Sequence, residues 1–576
     1  DILFIMNRRQ KMIIYQVLPR LFGNQNDACK CNGTIEENGV GKLADFTPKV
    51  LREIKMLGCT HIWYTGIIEH ATQTDYTQYG IERDNMFVVK GKAGSPYAIK
   101  DYYDVDPDLA VNISERMQEF ESLVGRSHAA GLKVIIDFVP NHVARRYHSD
   151  AQPDGVIDLG QNDNSEVHFD PQNNFYYIPR QEFQPQFYIG EGDQKYREYP
   201  AKATGNDCFG AYPNRNDWYE TVKLNYGVDY LHGRRKCFDP IPDTWFKMRD
   251  ILLFWCSKGI DGFRCDMAEM VPVEFWGWVI PRIKELYSGV DFIAEIYNPH
   301  EYRYYIEGGK FDYLYDKVGL YDLLRSIVNG HAAASQITRC WQSLDGITTH
   351  MLNFLENHDE QRIASPNFAG DPFRAYPALI VSAMMNVNPM MIYFGQELGE
   401  PAADAEGFSG LDGRTTIFDY WSVPSVRAWY AGGTCSVVGL TPKQKELRRR
   451  YKQVLTLCNK EAAIREGAFF DLMYVNGDNP NFDARKQYAF LRKKDNELLV
   501  IIVNFCDRAV DVGVKLPQHA FDLWNMAARE YSAKELLTGD VDQKVVSPEI
   551  LFRSSVKAYG AVIWKCADTN NRKKKI

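Results

Sequence analysis

The chain has 576 residues, 45% hydrophobic and 25% charged, with a formal net charge of −8. That acidic balance argues against a nucleic-acid partner. No run of about 18 apolar residues occurs, so no membrane span is expected.

The opening "DILFIMNRRQ" is too short in apolar residues to be a whole signal peptide, and the compartment stays open. The first strand-like run is "KMIIYQVLP". A helix follows, with Thr47 as N-cap, Pro48 in the first turn, and Val50, Leu51, Ile54 and Leu57 on one face. Gly58 ends it, and "HIWYTG" is the second strand. A helix carrying Met117, Phe120, Leu123 and Val124 leads through Gly131 into "KVIIDFVPNH", the third. Another, from about Asp243 to Ser257, leads into "GIDGFRCDM", the fourth. "DFIAEIY", "FDYLYD", "MLNFLENHD" and "PMMIYFGQE" supply the remaining four. Eight βα-like units in series predict a closed parallel (β/α)8 barrel. An open doubly wound sheet is the alternative, weakened because no Gly-rich phosphate turn is present.

The barrel pattern is assigned to residues 1–142 and 243–466, and it is interrupted once. Residues 143–242 are rich in Asn, Asp, Gly, Pro and aromatics and read as an irregular inserted domain. Its stretches "NNFYYIPRQEF", "QFYIG" and "NRNDWYE" suit either sugar stacking or a small core. From 467 to 576, "QYAFLRK", "ELLVIIVNF", "RAVDVGVKL" and "AYGAVIWK" predict an all-β sandwich. The tail "NNRKKKI" reads as a solvated end. Of the 12 cysteines, Cys29 and Cys31 form a lone C-x-C, a weak metal signal, and the scattered others read as free thiols.

In such a barrel the active site lies at the C-terminal ends of the strands. Polar residues gather there: Asp137, Asn141 and His142 after the third strand, Arg264 and Asp266 on the fourth. Glu295 follows on the fifth, and Asn357, His358 and Asp359 on the seventh. A strand that ends in a carboxylate needs a reason, because burying an unpaired charge is costly. Three converging carboxylates, Asp266, Glu295 and Asp359, point to chemistry. There is no G-x-S-x-G elbow, no H-E-x-x-H and no early H-x-H metal pair. Two carboxylates, one ionised and one protonated, are what cleavage of a glycosidic bond requires. Arg264, two residues from Asp266 in a strand, is expected to keep it ionised as a nucleophile. Glu295 follows Ala294 on an apolar strand, where desolvation favours the protonated form of a general acid.

These segments resemble the α-amylase family, glycoside hydrolase family 13. "DFVPNH", "GFRCD", "AEIYN" and "ENHD" look like its four signatures, in order. "GSPYAIKDYYDVDPDLA", "KLNYG" and "PMMIYFGQELGE" look like three further segments. The resemblance covers most of the chain. It implies a retaining enzyme acting on α-1,4 links in starch-derived glucans or maltooligosaccharides. Asp266 would be the nucleophile, Glu295 the acid/base, and Asp359 the stabiliser of the distorted sugar. Arg264 would orient Asp266, and Asp137 would support the site. His142 and His358 would hydrogen-bond the reacting sugar, Tyr97 would stack on it, and Arg362 would contact the next one. No cofactor is required for the chemistry. Asn141 matches a calcium-ligand position, and the sequence leaves calcium open. A transglycosylase on the same carboxylates is the alternative activity, and a non-catalytic glycan-binding relative a third. Where many relatives carry Lys-His, this chain has Glu269 and Met270, which puts acceptor-side specificity in question. Oligomeric state is not readable.

Overall fold

Eight short apolar runs become eight parallel strands, named β1 (Ile13–Val17), β2 (His61–Tyr64), β3 (Lys133–Phe138) and β4 (Gly262–Cys265). The others are β5 (Asp291–Ala294), β6 (Tyr313–Tyr315), β7 (Met351–Phe354) and β8 (Met390–Tyr393). The computed structural model describes residues 10–187 and 192–567. Each strand pairs with its sequence neighbours, and β8 closes on β1 through Ile13↔Met390. The ring is a closed barrel, so the open-sheet alternative is set aside. The near-continuous apolar strands follow from this closure, since a barrel strand is buried on both faces.

The connecting helices form where the apolar spacing called for them. In Pro48–Leu57 the Thr47 hydroxyl accepts from the Val50 amide, and Val50, Leu51, Ile54 and Leu57 are buried. Gly58 ends this helix at φ +114°, and a Cβ there would lie 2.7 Å from Leu455 Cβ on the last barrel helix, Pro442–Lys460. Both the backbone conformation and the close approach require glycine.

Two additions shape the mouth of the barrel. After β2 the chain makes an irregular hairpin of Ile68–His70 and Ile99–Val105. After β3 comes the long insertion, which holds only two- and three-residue strands; among its described residues there is no helix. The first of these strands, His142–Ala144, pairs with Thr221–Lys223 and ties the start of the insertion to its end. Phe175, Tyr176, Tyr177 and Phe183 are buried, Phe175 and Tyr177 against the main core and Phe183 in a small cluster with Ile178, Ala201 and Ala211. In "QFYIG", Tyr188, Ile189 and Gly190 lie outside the described residues, as do the tail and the first nine residues.

Beyond the barrel, a six-stranded antiparallel sheet and a two-stranded one (Val510–Val514 with Phe552–Val556) form the C-terminal part. A helix, Gln518–Trp524, interrupts its strands, where the sequence reading had only β structure. All 12 cysteines are free thiols. Among the described residues no helix is long and apolar enough to cross a membrane.

Candidate active site

The β3–β4 register sets Arg264 opposite Asp137, and the β4–β5 register carries Asp266 and Glu295 to adjacent strand ends. Arg264 is the hub. Its Nη1 lies 2.8 Å from Asp266 Oδ1 and 3.4 Å from Asp137 Oδ1, and its Nη2 lies 3.0 Å from Glu295 Oε2. Its Nε donates to the Tyr315 hydroxyl at 3.0 Å. The guanidinium sits 5.2 Å from the Trp63 ring and 5.4 Å from that of Tyr97. Arg264 is 1% exposed, and its carboxylate neighbours hold its proton more tightly than usual despite burial.

The sequence reading had this cation hold and orient Asp266, and the structure sets it among four carboxylates, the fourth being Asp359, whose Oδ2 lies 4.0 Å from Nη2. Burial, and then the charge of Glu295, push the Asp266 carboxyl well above the usual range, against the pull of Arg264. Glu295 has further donors: the Met267 amide at 2.7 Å and the Tyr297 hydroxyl at 2.5 Å.

Around them stand the other expected residues. Trp63 Nε1 and the Tyr97 hydroxyl donate to Asp137 at 2.9 and 3.1 Å. Burial pushes Asp137 up to about 6, with Arg264 opposing. Tyr97 stacks on His358 with centroids 5.1 Å apart. Gln16 Nε2 donates to His358 Nδ1 at 2.8 Å, which leaves Nε2 to donate to Asp359 Oδ2 at 3.2 Å. His142 Nε2 lies 3.9 Å from Asp266 Oδ2, and burial beside Lys223 lowers its imidazole to about 3. Asp359 is the most open of the carboxylates, with a side chain 40% exposed.

Asp266, Glu295, Asp359, Tyr97 and His142 line a cavity of about 250 Å³, walled also by Lys90, Trp218, Glu220, Tyr297 and Phe418, while Arg264, Asp137 and His358 stand behind that lining. None of those five further wall residues was singled out from sequence. Tyr297 was within reach, because it stands two residues past Glu295 and so on the same side. Trp218 comes from a stretch read as stacking or core, and it lies 5.2 Å from the His142 ring. Lys90 and Glu220 pair at 3.1 Å from different segments, a pairing no local pattern announces.

Arg362 is a correction. It is 0% exposed and bonds Thr415 Oγ1, Glu356 Oε2 and the Phe394 carbonyl, each at 2.9 Å. Its Nη2 has no hydrogen-bond partner, but that atom is buried as well, so no face of the side chain is open to a sugar. Glu269 acts through the backbone: its carboxylate accepts from the amides of Tyr297 and Asn298 at 3.2 and 3.1 Å. The residue that replaces the common lysine therefore braces the loop that carries Tyr297.

The calcium-ligand position also has an occupant. Asn141 Oδ1 accepts from Lys223 Nζ at 2.6 Å, and the same ammonium lies 2.8 Å from Asp207 Oδ1. Lys223 comes from "KLNYG", and its side chain is 2% exposed. The oxygens there are already matched to a buried cation, so the residues present do not fit a metal ion at Asn141.

Paired carboxyls on one guanidinium, in a cavity walled by flat rings, are the equipment of a glycoside hydrolase. Residues 16–419 match the family model for the α-amylase catalytic domain, and the chain belongs to the α-amylase family. It is 21% identical over 506 residues to alpha-amylase 2 of Dictyoglomus thermophilum, spanning 87% of this chain and 70% of that one. It is 22% identical over 533 residues to a cyclomaltodextrinase of Geobacillus thermopakistaniensis, spanning 91% and 74%. A maltogenic α-amylase from Thermotoga neapolitana shares the fold with a TM-score of 0.62 at 18% identity, over 97% of this chain and 99% of that one.

Proposed function

We propose that this enzyme cleaves α-1,4-glucosidic bonds in maltooligosaccharides or starch-derived glucans by double displacement, with retention. The observation that carries the reading is the sharing of Arg264 by Asp266 and Glu295, at 2.8 and 3.0 Å. One clamp on both groups supports the short carboxyl separation, about 5–5.5 Å, that a covalent intermediate requires.

In the first step Glu295, as the acid, gives a proton to the glycosidic oxygen as that bond breaks. Positive charge grows at the anomeric carbon and favours an ionised Asp266, which attacks to form the glycosyl ester. In the second step Glu295 takes a proton from water, and the water displaces Asp266. Asp359 holds sugar hydroxyls as the ring flattens. Neutral His142 and His358 hydrogen-bond the same sugar, and Tyr97 gives its ring a platform. Asp137 acts through Arg264 and Tyr97 and is a positioning residue. Lys223 stands in for calcium at Asn141, so no metal is needed there.

The test is product identification with maltooligosaccharides, pullulan, trehalose and sucrose. Maltooligosaccharides should be shortened, with the α-anomer released first. A β-anomer would overturn retention. Products longer than the input would replace hydrolysis by transfer to a sugar hydroxyl on the same carboxylates.

A further inference from the structure

A second group of carboxylates lies outside the active site, in the hairpin after β2. Regular pairing would send Asp101 and Asp104, three apart, to opposite faces of a strand. The hairpin is not regular. Ile68 pairs with Val105 while the next residue, Glu69, pairs with Asp101. The extra residues form a bulge, which turns both aspartates toward Glu69. One carboxylate oxygen from each of the three lies within 4.8 Å of the others. Glu69 is 1% exposed, Asp101 0% and Asp104 3%.

What marks the group is Glu69. No hydrogen-bond donor meets either of its carboxylate oxygens. Its neighbours are well supplied. Asp101 accepts from the Ser149 hydroxyl and the amides of Tyr103, Asp150 and Ala151. Asp104 takes Arg116 through Nε at 2.9 Å and Nη2 at 2.5 Å, and the Val105 amide. Lys100 turns away to Asp84, at 3.2 Å. A buried carboxylate without a donor is among the costliest arrangements a fold can hold. One bonded guanidinium faces three carboxyl groups, so the set can accept a further positive charge. An all-oxygen set selects a hard cation. Calcium accepts carboxylates in flexible geometry, whereas magnesium keeps several waters that so buried a place has little room for.

We propose that Glu69, Asp101 and Asp104 bind a calcium ion. It joins the hairpin to the start of the insertion, through the amides on Asp101. It also joins the helix Arg116–Ala129, through Arg116 on Asp104. Tyr97 stands two residues before the second hairpin strand, so the ion steadies that wall of the active site from behind.

The experiment uses the full chain stripped with EDTA and titrated with calcium chloride, by calorimetry and by thermal unfolding, with magnesium chloride in parallel. One calcium per chain should bind, and Tm should rise with calcium. Glu69→Gln and Asp104→Asn should each lose the heat and the Tm rise, while turning over maltotriose without calcium as proof of folding. Asn141→Ala should keep the calcium response. Absence of any heat or Tm change in the unmodified chain at millimolar calcium overturns the proposal. So does a response that survives Glu69→Gln, or one lost only in Asn141→Ala.

Discussion

Replacing Asp266 by Asn separates catalysis from stability. The carboxylate is 6% exposed and bonds Arg264 at 2.8 Å. Removing one partner of a buried ion pair usually costs about 3–5 kcal/mol, because the other charge is orphaned. Arg264 is not orphaned here: it keeps Glu295 at 3.0 Å, Asp137 at 3.4 Å and the Tyr315 hydroxyl at 3.0 Å. What is removed is a group that burial and Glu295 already push well above the usual carboxylate range. Asp266→Asn should therefore be neutral, or stabilise by about 1–4 kcal/mol near pH 7.5, as replaced buried ions often do. Turnover should fall on the order of 10⁴-fold or more, the scale of a lost nucleophile. A carboxyl whose pKa is raised on folding favours the fold while protonated. Its contribution is complete below the unfolded value of about 3.9 and is lost as pH rises through the folded one. The gain from Asn should thus be absent near pH 4 and grow toward neutrality. Urea unfolding at both pH values, with maltotriose turnover, reads both effects. A loss of about 3–5 kcal/mol at pH 7.5, or retained turnover, would refute the reasoning.

Arg362→Met should destabilise by about 3–5 kcal/mol, because Glu356 is left buried without its partner at 2.9 Å. Kinetics on the folded fraction should show KM for maltotriose unchanged, and a large rise in KM would return Arg362 to the substrate. Glu269→Ala frees the amides of Tyr297 and Asn298. With hydrogen bonds to a charged group worth about 1.5–3 kcal/mol, kcat should drop roughly ten- to a hundredfold. Glu269→Gln, which keeps one acceptor, should recover part of it; equal losses in both variants would argue against bracing. Burial lowers the His61 imidazole to about 3, against about 6.5 unfolded. Its contribution to stability is therefore complete above pH 6.5 and is lost as pH falls toward 3. The drop in Tm between pH 7.5 and 5 should be smaller in His61→Asn than in the unmodified chain, and identical drops would contradict the assignment.

The barrel was legible because its signals are local. Each helix face, the Thr47 cap and the eight apolar runs are written within a turn or a strand of themselves. The convergence of Asp266, Glu295 and Asp359 also needs only the rule that strand ends share one mouth. The helix Gln518–Trp524 was not foreseen: seven residues between strands give too short a period to separate it from a loop. Arg362 shows the opposite limit. Its position three residues past Asp359 suggested the site, but direction and burial decided otherwise, and both depend on Thr415 and Phe394, distant in the chain.

Sequence by itself determined the class of fold, the order of its parts and the carboxylates at its mouth. Each rests on spacing within one element or on the type of one residue. Only the tertiary structure decided how charge is shared among them. Arg264 stands among four carboxylates and not beside one, and Lys223 lies where a metal was an open question. Glu269 braces a loop, and Glu69 is buried among acids without a donor. Electrostatic energy depends on distance and on burial together, and neither is set until segments far apart in the chain are packed against each other.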